Sequence, residues 1–214
     1  MTKGFDQKYL REDQYKDQKK LQARIDLHQR FSENPQDYYE WVIEQLSIQQ
    51  GMTVLDVGCG TGALWKRLAG KMPDNFSITL ADLSWGMILQ TRSVHSSPRF
   101  SAVNLDAQFL PFTSESYDLV IANHMLYHVP DIDKALSEIH RVLIPGGTLI
   151  ATTNGENHLV EIRTLLHQVS DWSEAFDGQF SHRFSLKNAH EFLENHFVNV
   201  TVKEMPGDLF VTEV

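Results

Sequence analysis

The sequence predicts an α/β fold: a doubly wound, mostly parallel sheet with helices on both faces, closed by an antiparallel C-terminal strand or hairpin. Three observations carry this. From residue 53 onward short apolar runs alternate with helical stretches, the rhythm of a parallel sheet covered on both sides. A glycine turn, Gly58-Cys59-Gly60-Thr61-Gly62, joins the first such run to a helix. The 214 residues, 42% hydrophobic and 22% charged, suffice for one packed core and are not the composition of a disordered chain.

Each element has its own signal. Residues 14–31 read as a helix with Leu21, Ile25 and His28 on one stripe. Asn34 and Pro35 read as the cap and first position of a second helix, which Gly51 ends. Together these make a helical arm or cap over residues 1–48, leaving 49–214 as the body. Strands are expected at 53–57, 76–81, 100–105, 117–122 and 148–153. Helices are expected at 63–69, from the Ser84 cap to about 94, at 131–143, at 157–169, and at 185–197 with Ser185 as cap. Pro145-Gly146-Gly147 reads as a turn. The β-like segments 198–204 and 209–214, with Pro206-Gly207-Asp208 between them, leave two endings open. Either they pair as a hairpin, or the chain is truncated before a further helix and strand.

Charge narrows the function classes. Nineteen Lys+Arg against 28 Asp+Glu leave a net charge of −9, which repels a phosphate backbone and argues against nucleic acid as partner. The charge is uneven: residues 1–30 carry eight basic and five acidic side chains, a net of +3, and the remainder carries −12. A basic arm on an acidic body is either a solvated helix or an arm folded near a ligand site. The single cysteine, the absence of a signal-peptide core near the N-terminus and the lack of a long apolar run point to a cytoplasmic protein with no membrane segment.

In a doubly wound sheet ligands bind beyond the carboxyl ends of the strands. Glycines 58, 60 and 62 allow close approach of a ligand to the backbone, but their G-x-G-x-G spacing is not the dinucleotide G-x-G-x-x-G. Asp56 stands two residues before the first glycine, where a carboxylate repels a pyrophosphate and suits a ligand carrying an amino group and a sulfonium. Asp82 ends the second strand, and a carboxylate there can accept two ribose hydroxyls, each bond to a charged acceptor contributing about 1.5–3 kcal/mol.

The stretch Val54-Leu55-Asp56-Val57-Gly58-Cys59-Gly60-Thr61-Gly62 resembles the first motif of the class I S-adenosylmethionine (SAM)-dependent methyltransferases. The order of the later motifs is similar to that of the small-molecule type related to ubiquinone/menaquinone biosynthesis, over roughly residues 50–154. The resemblance implies a Rossmann-like fold, SAM as cofactor and a small-molecule methyl acceptor, methylated on O, N or C. It implies that the loop Gly58, Cys59, Gly60 and Gly62 holds the methionine part and Asp56 its amino group. It further implies Asp82 on the ribose, Leu83 beside the adenine, Asp106 on the adenine amino group, the Ala107 N–H on the ring, and Asn123 facing the methyl group. No metal is implied.

His124 and His128, after the fourth strand, are the candidate catalytic bases, four apart as on a helix face. No Glu follows His124 as in a zinc H-E-x-x-H motif. Tyr127, Asn154, His158 and Glu161 are candidates for the acceptor pocket, His158 and Glu161 being one helical turn apart. Arm residues Tyr9 and Tyr15 can close over the cofactor, and His182 and Arg183 lie in a polar loop within reach. Two other classes compete: a non-catalytic SAM-binding module, and an NAD(P)-dependent oxidoreductase, which the glycine spacing and Asp56 disfavour.

Overall fold

The computed structural model describes residues 7–10, 12, 19–68, 70, 72–73, 75–95, 97–169 and 182–212. Strands Thr53–Val57 (β1), Ser77–Asp82 (β2), Phe100–Asn104 (β3), Tyr117–Asn123 (β4) and Leu143–Thr152 (β5) form one sheet. Their order is β3-β2-β1-β4-β5, with every neighbouring pair parallel. The order reverses between β1 and β4, which opens a crevice beyond their carboxyl ends.

Alternation along the strands divides the core between two faces. Val54, Ile78, Leu80, Leu119 and Ile121 point to one side, where Val42, Leu64, Trp65 and Leu68 cover them. Leu55, Val57, Ala81, Val120 and Ala122 point to the other, against Leu136, Ile139 and Phe184. Each buried Val, Leu, Ile or Phe among them contributes about 1.5–3 kcal/mol.

The helices are Gln7–Tyr9 (α1), Lys19–Phe31 (α2), Tyr38–Gln45 (α3), Ala63–Leu68 (α4), Trp85–Val94 (α5), Ile132–Val142 (α6), Val160–Val169 (α7) and Ala189–Glu194 (α8). Ser84 caps α5 as expected, accepting from the Met87 N–H. Helix α6 buries Ile132, Ala135, Leu136, Ile139 and Val142, a stripe at helical spacing. At its end Arg141 grips both Glu138 oxygens at 2.7 and 2.8 Å and the carbonyls of Leu110 and Phe112 at 2.9 and 2.8 Å, which fastens the chain leading into β4.

Several expectations are corrected. Helix α3 is capped by Asp37, which accepts from the Tyr39 and Glu40 N–H groups, and not by Asn34. The Asn34 side chain instead accepts from Gln36 and donates to the Pro206 carbonyl. The helix stops at Gln45, and Gly51, with φ +86°, belongs to the turn before β1. Pro145-Gly146-Gly147 lies within β5, where the register shifts between Tyr117 and Leu119 opposite it. Helix α8 is shorter than expected, with Asn188 as its cap residue, while Ser185 closes the preceding turn by accepting from Lys187.

The C-terminal hairpin does not form among the described residues. Segment 198–204 holds no strand, and Leu209 bridges antiparallel to Ser32 of the arm instead. The Phe210 N–H donates to the Phe31 carbonyl at 2.8 Å, so the tail holds the end of α2.

Candidate functional site

The carboxyl ends of β1, β2 and β4 converge on the glycine turn. Asp56, 2% exposed, lies on the β1 face that packs on α4. Its Oδ2 accepts from the Trp65 indole N–H at 2.6 Å, while its buried Oδ1 has no hydrogen-bond partner. Burial, opposed by the Trp65 bond and reinforced by the charge of Asp82, pushes this carboxyl up to about 7. An acid so placed is half-ionised near neutrality and keeps an unused acceptor for a cation.

The turn itself is bound inward. The Gly58 and Cys59 N–H groups donate to the Ala81 carbonyl at 2.7 and 3.0 Å, and the Gly62 N–H donates to Cys59. The Gly60 N–H donates to Asp82 Oδ2 at 2.9 Å, and the Ser84 N–H to Oδ1 at 2.7 Å. Asp82 thereby clamps the turn to β2, and each oxygen keeps a further lone pair. Burial raises its carboxyl to about 6 against the pull of these two bonds. With those four N–H groups spent, they are not free to cradle a pyrophosphate. Gly58 has φ +73°, and a Cβ there would sit 2.6 Å from Met125 Cβ, so only glycine fits. The Cys59 thiol lies near Thr91 Oγ1, and burial pushes it well above its ordinary value, which makes it a poor nucleophile.

Beyond β3, both Asp106 oxygens accept from the Gln108 side chain, and Oδ2 accepts from arm residue Gln7 at 2.6 Å. Ala107 is buried beside them, and the Leu83 carbonyl is held by Asn104 at 2.8 Å. Leu21 of α2 lies over the turn, 3.2 Å from where a Gly60 Cβ would stand. Contacts at Gln7 and Leu21 bring α1 and α2 onto the crevice. Tyr9 lies in α1, and Tyr15 is outside the described residues.

At the end of β4, Asn123 Oδ1 accepts from the hydroxyls of Tyr38 and Thr152. These residues come from α3, β4 and β5. His124 follows with φ +53°, its N–H donating to Thr152 Oγ1 at 3.1 Å and to the Thr152 carbonyl at 3.2 Å. Its Nδ1 is buried without a partner, and burial together with His158 and His28 lowers it to about 4. His124 and His128 do not share a helix face: His128 ends the 3-10 turn Leu126–His128, its ring against Tyr127 at 4.6 Å. Arg183 holds this segment from below, donating to the Val129 and Pro130 carbonyls at 2.7 and 2.6 Å.

Beyond β5, the Asn154 carbonyl accepts from the Leu186 N–H. His158 sits in a turn closed by its own N–H on Gly155, before Leu159 at φ +56° and before α7 begins. His158 and exposed Glu161 are therefore not on one helix face. Instead His158 stacks on His28 of α2, ring centroids 5.7 Å apart and planes 3° from parallel.

Spacing along the chain did not reveal Gln7, Tyr38, Trp65 or Met125, or the role of His28, because each acts across elements. Trp65 carried one signal, a large indole placed nine residues after a strand-end acid on the face that must pack on it. Among the described residues no group of three or more His, Cys, Asp or Glu is arranged to hold a metal ion, and no helix is long and apolar enough to cross a membrane.

A model of the methyltransferase domain family matches residues 55–151, spanning β1 to β5. This segment belongs to that family. The chain is 34% identical over 138 residues to malonyl-[acyl-carrier protein] O-methyltransferase from a Methylovorus species, covering 60% of this chain and 46% of that protein. Demethylmenaquinone methyltransferase of Staphylococcus aureus is 27% identical over 185 residues, covering 78% of this chain and 76% of that one. The chain spans about half the length, or less, of the malonyl-[acyl-carrier protein] and biotin-biosynthesis relatives it matches. The crystal structure of a methyltransferase candidate from Bacillus halodurans superposes with a TM-score of 0.58 at 22% identity, over 75% of this chain and 68% of that one, a likeness of fold.

Proposed function

We propose that the protein transfers a methyl group from SAM to an O, N or C atom of a small molecule. One observation carries the reading: a buried carboxylate, Asp56, keeps an unpartnered oxygen beside a glycine turn whose Gly58, Cys59, Gly60 and Gly62 N–H groups are already bonded within the protein. That donor set fits a ligand bearing an ammonium group and disfavours a dinucleotide. The family match and the methyltransferase relatives support the same reading.

On this reading Asp56 Oδ1 accepts the cofactor's ammonium group, and the turn formed by Gly58, Cys59, Gly60 and Gly62 lies along its methionine part. Asp82 accepts the ribose hydroxyls with its remaining lone pairs. Asp106 and the Ala107 N–H take the adenine edge, and Leu83 covers the ring. SAM supplies an activated methyl group as a sulfonium. The protein's share is to align, desolvate and exclude water. Asn123, fixed by two hydroxyls, sets the course of the backbone at the transfer edge. Tyr127, His128, Asn154 and His158 surround the acceptor's entry, with Glu161 at its outer rim. His128 takes a proton from the acceptor if the acceptor carries one at working pH.

Calorimetry with SAM and with NADH, followed by detection of S-adenosylhomocysteine across an acceptor panel, tests the reading. SAM is expected to bind and NADH not to. Tighter NADH binding overturns it, and tight SAM binding with no product across the panel leaves a binding module instead. His128→Ala is expected to lower turnover at least about tenfold with SAM affinity unchanged; wild-type turnover removes His128 from the mechanism.

A further inference from the structure

We propose that His28, His124 and His158 form the recognition site for the methyl acceptor, and that the acceptor presents an anionic oxygen, a carboxylate or phenolate, to them. The inference rests on the methyl-transfer reading above.

The three imidazoles come from separate parts of the chain: α2, the turn after β4 and the turn after β5. All meet at the carboxyl edge of the sheet. His28 lies flat on His158, with 5.7 Å between centroids. His124 is turned back by its left-handed backbone, and its Nδ1 is buried without a hydrogen-bond partner. A buried nitrogen left unpaired is unfavourable, and a ligand oxygen reaching it restores the bond.

The groups facing His124 are Tyr38 from α3, with ring centroids 5.2 Å apart, Tyr127 from the 3-10 turn at 6.3 Å, and the other two histidines. Burial holds the Tyr38 phenol protonated, and the Asp56 charge acts on Tyr38 and Tyr39. The electrostatic influences on His124 are therefore cationic when His28 or His158 is protonated. Partial burial likewise holds His28 below the ordinary histidine value. An anionic oxygen in this cluster reverses the balance, because it favours the protonated form of every ring around it.

A second observation points to the same ligand charge. Residues 31–214 carry −12 and repel an anion, while the α2 sequence, which contains His28, holds four basic residues against one acidic, a net of +3. The contacts at Leu21 and His28 lay α2 along the crevice. An acid entering beside α2 meets the positive part of the molecule.

The test is an NMR titration of ¹⁵N-labelled histidine rings, with the protein saturated with S-adenosylhomocysteine. Sodium formate is compared with sodium chloride at equal ionic strength and with neutral formamide. Formate is expected to raise the midpoints of His124 and His158 by about half a pH unit or more, with formamide and chloride inert. His28→Gln, on a helix surface, is expected to halve the response of His158. His124→Asn, which tolerates the left-handed backbone, is expected to abolish the effect at that position and weaken it at His158. Identical curves in formate and chloride overturn the proposal. Calorimetry with SAM on the same samples separates the two readings: SAM binding without a formate response removes only the anion site, and no SAM binding removes the methyl-transfer reading.

Discussion

The Trp65 indole N–H donates to Asp56 Oδ2 at 2.6 Å, and this bond is what keeps a fully buried carboxylate ionisable near neutral pH. Trp65→Phe removes the donor. The Asp56 carboxyl is then expected to rise above about 7, and stability to fall by about 1–3 kcal/mol from the lost bond. Since the SAM ammonium prefers the carboxylate, affinity should increase with pH through the Asp56 midpoint. Calorimetry from pH 6 to 8.5 is expected to show that inflection near 7 in the wild type and displaced upward in the variant.

Asp56→Asn is expected to stabilise the protein selectively at high pH. The folded Asp56 carboxyl lies near 7 against 3.8 when free, so the folded state binds the extra proton between those values. Its contribution is fully present below about 3.8 and is lost as pH rises through 7. Asparagine cannot ionise and escapes that loss. The gain in Tm should be small at pH 5 and reach at least about 2–4 °C at pH 8. His124 works in the opposite sense: its folded value near 4 against 6.5 gives stability present above 6.5 and lost as pH falls toward 4. Thermal melts across pH 4–8 read both slopes, and SAM affinity in the variant should lose its inflection.

Asp82→Asn is expected to weaken SAM binding at least about tenfold, the loss of one charge-assisted bond. The amide still offers one oxygen to Gly60 or Ser84, so the turn keeps part of its clamp. Circular dichroism should be unchanged while calorimetry registers the loss. Unchanged affinity would remove Asp82 from the ribose role.

Gln7 and the adenine amino group are proposed to use the same acceptor, Asp106. Gln7→Ala should therefore tighten SAM binding by about threefold to tenfold, the value of one part-buried hydrogen bond. Equal affinity in variant and wild type would show that the arm contact and cofactor binding do not compete.

The parts of the fold legible in the sequence are those encoded by local rhythm. The run 53–57, the glycine turn and the α6 stripe Ala135, Leu136, Ile139 announce a strand, a turn and a packed helix because periodicity and φ preferences act over a few residues. Asp56 and Asp82 were legible for the same reason, as acids at strand ends. What escaped depends on distant pairing. The tail Leu209-Phe210 has strand-like composition, yet its partner is Ser32 and Phe31 rather than segment 198–204. His158 read as helical because its neighbours have helical spacing, but Leu159 takes a left-handed conformation and breaks the phase. His28 read as one position on a helical stripe, and only the folded arm brings it onto His158.

The contact between Gly58 and Met125 joins the turn after β1 to the segment after β4, with no room for a single methyl between them. A redesign that swaps the β4 segment to accept a new substrate would press directly on the backbone of the first turn. On the proposed reading, acceptor specificity and cofactor grip form one mechanical unit, and the second must be repacked whenever the first is altered.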